Sequence, residues 1–197
     1  MTVDKVLEYS SRIRPCFGES VSGDTVVIRT LGQSLFVAIV DVLGHGPEAH
    51  ELTHVIETYL GRYGNADVSG VMTRLHQHLK GTRGAAVGLC AFDESTGCIE
   101  YVGVGNTAIR RMGKAETRLV SKDGVVGQSM RSLLPQTMQL EAGDLIILHT
   151  DGVSGRFTVE DYPGASHHSP EEVARNIVKR YGKDHDDAAC IAVRYRG

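Results

Sequence analysis

From residue 85 to residue 150 this chain runs through a series of strand-length apolar segments joined mostly by short turns, a spacing that favours antiparallel pairing. Residues 85–92 and 98–104 read as a hairpin turning at Asp93-Glu94-Ser95-Thr96-Gly97, and residues 108–112 and 118–121 as another turning at Gly113-Lys114. Residues 136–140 lead through Glu141-Ala142-Gly143-Asp144 into the run Leu145-Ile146-Ile147-Leu148-His149-Thr150. Parallel neighbours would need a crossover of about a dozen residues or more, which these hairpin turns do not supply. That argues against a short parallel α/β fold, and with it against an aspartate-accepting phosphotransfer domain.

Three helical stretches complete the pattern. After Gly44-His45-Gly46-Pro47, the apolar residues Ala49, Leu52, Val55, Ile56, Tyr59 and Leu60 recur at steps of three and four, predicting a helix with one buried face that stops at Gly61. A second helix is predicted over residues 67–79, burying Val68, Val71, Met72, Leu75 and Leu79. A third runs over 170–181, with Ser169 as cap, Pro170 in the first turn and Glu172 closing a capping box. Sheets rich in hairpins with three amphipathic helices predict an α+β sandwich, the helices covering its outer faces. Residues 122–135 and 157–168 fit no element and read as loops near a site.

Four aspartates mark the ends of strand-like runs. Asp24 opens one, Asp41 closes Leu35-Phe36-Val37-Ala38-Ile39-Val40, Asp151 follows Thr150, and Asp186, beside Asp187, precedes Ala188-Ala189-Cys190-Ile191-Ala192-Val193. A carboxylate at a strand end is anchored by the sheet yet lies at its rim. Four brought together would repel one another unless a cation lay between them. Oxygen-only donors in that number suit Mg²⁺ or Mn²⁺, and two such ions sharing a carboxylate can activate a water and clamp a phosphoryl oxygen. The glycines of Asp41-Val42-Leu43-Gly44-His45-Gly46 would let the chain turn so that a peptide carbonyl joins the Asp41 side chain.

Composition limits the alternatives. The 197 residues suit one domain with a sizeable core, expected here over 1–197. A formal net charge of −3 does not favour nucleic acid or an anionic membrane as partner. Apolar runs are too short to span a bilayer, and no secretion signal is visible at the start. Cys16, Cys90, Cys98 and Cys190 show no Cys-x-x-Cys spacing, which fits a reducing cytoplasm.

Taken in order, Ser22-Gly23-Asp24, Asp41-Val42-Leu43-Gly44-His45-Gly46, His149-Thr150-Asp151-Gly152-Val153 and Asp186-Asp187 resemble the motifs of the metal-dependent PPM-type (type-2C) serine/threonine phosphatases, and within them the bacterial SpoIIE-like group. The resemblance covers essentially the whole chain. It is closest to the small stressosome-resetting members, since the chain shows no sensor module and has Val102-Gly103-Val104-Gly105-Asn106 where many relatives carry a Gly-His pair.

The resemblance implies a central antiparallel β-sandwich flanked by helices. It further implies a protein phosphatase that removes phosphate from serine or threonine on STAS-domain proteins of a stressosome-type complex. By motif, Asp41 would bridge two Mn²⁺ or Mg²⁺ ions, the Val42 carbonyl would bind the first, Asp151 and Asp186 the second, and Asp24 would ligate directly or through water. Water would attack phosphorus in line with no phosphoenzyme, and His45 is a candidate to protonate the leaving oxygen. Val42-Leu43 stand where eukaryotic members have glycine-histidine, their phosphate-holding arginine has no counterpart, and Ala188-Ala189 stand where relatives often carry threonine. These departures admit a second reading: a phosphatase-like module that binds its partner without turnover.

Other residues invite plainer readings. His54, His76 and His78 fall on or beside polar helix faces and are expected at the surface, Arg110-Arg111 at a solvated strand end, and Asp184 in a solvated loop. Gly103-Val104-Gly105 lacks the third glycine and following helix of a phosphate loop and reads as a turn. His167-His168 alone is too few donors for a soft metal.

Overall fold

Two five-stranded antiparallel sheets lie face to face in the computed structural model, which describes residues 6–113, 116–158 and 168–197. The strands are β1 (Leu7–Arg14), β2 (Asp24–Leu31), β3 (Ser34–Val42), β4 (Ala85–Asp93), β5 (Cys98–Val104), β6 (Ala108–Met112), β7 (Thr117–Leu119), β8 (Gly124–Val125), β9 (Ser129–Met130), β10 (Gln136–Gln139), β11 (Leu145–His149) and β12 (Ala188–Tyr195). The helices are α1 (Pro47–Tyr63), α2 (Val68–His78) and α3 (Pro170–Tyr181). One sheet has the order β1-β12-β11-β6-β7 and the other β10-β5-β4-β3-β2, while β8 and β9 form a small separate hairpin.

Strand alternation generates the layers. In β3, Leu35, Val37 and Ile39 face the other sheet and meet Ile146, Leu148, Ile191 and Val193. Phe36, Ala38, Val40 and Val42 face the opposite way, under Ile56 and Leu60 of α1 and Val71, Met72 and Leu75 of α2. On the far side, Val173, Ala174, Ile177 and Val178 of α3 cover Ile147, Cys190 and Ala192. The order of layers is helices, sheet, sheet, helix, and each large apolar side chain (Val, Leu, Ile, Phe, Met) buried in them contributes roughly 1.5–3 kcal/mol. The expected sandwich with helices on its outer faces is what the chain forms. At α3 the capping box of Ser169 and Glu172 is present in full.

Several local expectations are corrected. Gly61 lies inside α1, and the helix stops at Gly64, where any Cβ would overlap the Phe36 ring. Val55, placed on the buried face by spacing, is 45% exposed, because that flank of α1 has no layer above it. His76 is buried rather than superficial, its Nδ1 accepting the Gly127 N–H at 3.0 Å and so tying α2 to the loop after β8. Arg110 is also buried, with Glu116 and the Gly155 carbonyl as acceptors and the Phe157 ring 4.3 Å from its guanidinium carbon. β1 was not anticipated; it pairs with β12 along its whole length. Residues 122–135 contain the β8–β9 hairpin, and most of 157–168 lies outside the described residues. No helix among the described residues is long and apolar enough to cross a membrane.

Candidate active site

Asp24 and Asp41 stand directly opposite each other across the β2–β3 ladder. Asp41 shares the strand parity of Val37 and Ile39, and Asp24 that of Val26 and Ile28, so both belong to the face that meets the second sheet. They therefore lie at one rim of the seam between the sheets. From the second sheet, Asp151 follows the end of β11 and Asp186 lies two residues before β12.

Asp41, Asp151 and Asp186 line one cleft of about 520 Å³, together with Leu43, Gly44, His45, Asn106, Asp123 and Gly124. Asp24 lies buried behind them. Val42 ends β3 with its side chain in the helix-side core, which leaves only its backbone for a ligand. Gly44, at φ +89°, makes the sharp turn that follows.

Two side chains outside the expected set hold this rim together. The Thr150 hydroxyl donates to Asp24 Oδ2 at 2.7 Å and accepts the Ala189 N–H at 3.0 Å, linking the two sheets through one fully buried oxygen. The Asp187 carboxylate accepts the N–H groups of Cys16 and Gly23, both at 2.8 Å, and so pins the turn that carries Asp24. Asp186 is thus turned to the cleft and Asp187 to the frame. A buried threonine after a strand and the second of two adjacent aspartates have no local signature, so these roles were not readable in the sequence. Ala188 and Ala189 are both fully buried in β12 and do not line the cleft.

The electrostatics are those of an acid cluster short of positive charge. Burial, followed by the charge of Asp41, pushes the Asp24 carboxyl well above the usual range, against the Thr150 hydrogen bond. Burial, and then the charge of and hydrogen bond with Asp151, push Asp41 up to about 8. Asp186 is raised by burial and by Asp151, with Lys183 opposing. His45 is exposed at the cleft mouth, its Nδ1 3.1 Å from Glu19 Oε1.

Among the described residues no group of three or more His, Cys, Asp or Glu side chains forms a ready-made metal cage. An all-oxygen set of this kind nevertheless fits Mg²⁺ or Mn²⁺, which commonly take one or two carboxylates each and complete their shell with water. A cation would also relieve the mutual repulsion that adds to burial in raising Asp24, Asp41 and Asp186 above the usual carboxylate range.

Replacing Thr150 by valine keeps the shape but removes the hydrogen bond to Asp24. By analogy with supporting residues at metal sites, divalent-ion affinity should fall by roughly 10–100-fold. Calorimetric titration with Mn²⁺ measures this, and an unchanged affinity would separate Asp24 from ion binding.

Comparison with known proteins gives three results. The family model described as stage II sporulation protein E, SpoIIE, matches residues 32–196. Among curated protein sequences none matches. Solved structures do match. One, from a study of the bacterial stressosome as a modular system adapted to control secondary messenger signalling, is 28% identical, covers 96% of this chain and 100% of its own, and superposes with a TM-score of 0.87. RsbX in complex with magnesium is 22% identical over 96% of this chain and 95% of its own, with a TM-score of 0.83. The PP2C phosphatase domain of SpoIIE from Bacillus subtilis is 19% identical over 95% of this chain and 63% of its own, with a TM-score of 0.73. The last two likenesses speak to the fold.

Proposed function

The chain belongs to the SpoIIE family of PPM-type phosphatases, and from that membership we propose that it is a cytoplasmic, Mn²⁺- or Mg²⁺-dependent protein phosphatase, formed by one catalytic domain over 1–197. Its substrate is phosphoserine or phosphothreonine on a STAS-domain protein of a stressosome-type complex. The observation that carries this reading is the gathering of Asp41, Asp151 and Asp186 in one cleft with Asp24 behind it, four carboxylates from both sheets at a single rim. The chain's likeness to a structure from stressosome work supports the choice of substrate.

Asp41, Asp151 and Asp186 in the cleft, with Asp24 and the Val42 carbonyl beside them, would hold the divalent ions. Divalent ions held there would supply Lewis acidity toward a phosphoryl oxygen and toward the attacking water. Thr150 keeps Asp24 oriented, and Asp187 keeps the turn before it in place. His45, at the mouth with Glu19 beside it, is poised to hand a proton to the departing serine oxygen.

Purified protein should release phosphate from p-nitrophenyl phosphate and from a phosphorylated STAS-domain protein in Mn²⁺. EDTA should abolish both activities, and added Mn²⁺ should restore them. Release that persists in EDTA would overturn the metal reading. Tight binding of the phosphorylated partner without Mn²⁺ uptake or phosphate release would favour the non-catalytic module.

A further inference from the structure

Beside the acidic cleft runs a second groove of about 340 Å³, and the two share Gly105 and Asn106 as a common wall. The charge of this groove is opposite. Arg110 and Arg118 both line it and share one acceptor, Glu116 Oε1, so that cluster carries one positive charge in excess. Arg110 is committed inside the protein, to Glu116 and to the Gly155 carbonyl. The Arg118 side chain is 60% exposed, and Val120 beside it is 57% exposed.

Beneath the groove lies a buried polar atom without a hydrogen-bond partner among the described residues. His149 is 5% exposed and borders the groove. Its Nδ1 lies 2.9 Å from the Thr150 carbonyl, which accepts and so fixes the ring proton on that nitrogen. In the neutral ring Nε2 is then an acceptor, and it has no hydrogen-bond partner among the described residues.

The groove's strand, β7, is the edge of its sheet, but just beyond its end the Gln136 amide pairs with Val120, accepting the Val120 N–H at 3.2 Å and donating to the Val120 carbonyl at 2.7 Å. Addition of a further strand at Val120 is therefore blocked, and recognition falls to side chains.

We propose that this groove seats the stretch of substrate polypeptide flanking the phosphorylated residue, with an acidic side chain of that stretch at Arg118. The proposal rests on the phosphatase reading for its substrate and on continuity with the acidic cleft for its placement. It divides the work by charge: the cleft takes the phosphoryl group with its cations, and the groove takes an acidic flank.

The test uses three substrates: p-nitrophenyl phosphate, which has no flank, a phosphoserine peptide with glutamates on both sides, and one with lysines. At low salt the unmodified protein should prefer the glutamate peptide. Arg118→Ala should lower kcat/KM on it about three- to fivefold, as expected for a solvent-exposed ion pair. Arg118→Glu should lower it about tenfold and raise that for the lysine peptide, with p-nitrophenyl phosphate within about twofold and the preference fading at high salt. Equal effects on both peptides, or none, would overturn the proposal. If the unmodified protein hydrolyses none of the three, the phosphatase reading fails instead. Fluorescence anisotropy of the labelled peptides then tests the groove without turnover: retained glutamate preference abolished by Arg118→Glu supports it, and its absence removes it.

Discussion

Asp41→Asn should reduce phosphatase activity by on the order of a thousandfold or more while leaving the fold intact. The amide has the shape of the carboxyl but cannot carry the charge that two cations would share, and loss of one preorganised electrostatic group at a reacting centre already costs about 10²–10³-fold. A stability measurement distinguishes this from simple damage. In the metal-free protein Asp41 is pushed up to about 8 from an ordinary 3.8, chiefly by burial and by Asp151. Between those values the folded chain holds a proton that the unfolded chain has released, so stability falls as pH rises through that window. The Asn variant has no such proton to lose at this position. Its metal-free Tm should therefore fall less steeply from pH 5 to pH 8, and Mn²⁺ should stabilise it less than the unmodified protein. Parallel melting profiles for the two proteins would show that Asp41 lies outside the cluster's electrostatics.

Gly152→Ala should be the most disruptive glycine-to-alanine change among the described residues. A Cβ at Gly152 would overlap the carbonyl oxygen of Asp187, a backbone atom that no rotamer change can move. The Gly152 carbonyl also accepts the Lys183 N–H at 2.8 Å, so the segments carrying Asp151 and Asp186 are strapped together at this point. Forcing them apart should cost roughly 3 kcal/mol or more. At about 2–4 °C per kcal/mol for a chain of this size, Tm should drop by roughly 6–12 °C. Residual activity should require much higher Mn²⁺. Gly61→Ala, inside α1 with open space at the Cβ position, is the control: it should leave the Mn²⁺ requirement unchanged and, through helix propensity, raise Tm slightly rather than lower it.

How far the sequence could be read depended on the range of the cause. The α3 capping box and the β4–β5 hairpin are set by residues close in the chain, and both were legible. The strand-end aspartates were visible as a pattern, and alternation alone carries Asp24 and Asp41 to one rim. The failures are tertiary. Arg110 reads as solvated until Glu116, Gly155 and Phe157 close over it, and His76 reads as superficial until Gly127 arrives from 51 residues away. β1, Leu-Glu-Tyr-Ser-Ser-Arg-Ile-Arg, is too polar to announce a strand, and among the described residues its one ladder partner is β12, the last strand. Asp187 and Thr150 show their roles only when distant backbone groups meet them.

That last strand carries a consequence in time. β12 lies between β1 and β11, so the sheet containing it cannot close until residues 188–195 are available to zip into its middle. The bonds that set Asp24, through Asp187 to Gly23 and through Thr150 to Ala189, wait on the same segment. A chain emerging from the ribosome thus has most of its carboxylates long before it has a site. On the metal-dependent reading proposed above, cation capture and completion of the fold would be a single late event rather than a gradual one.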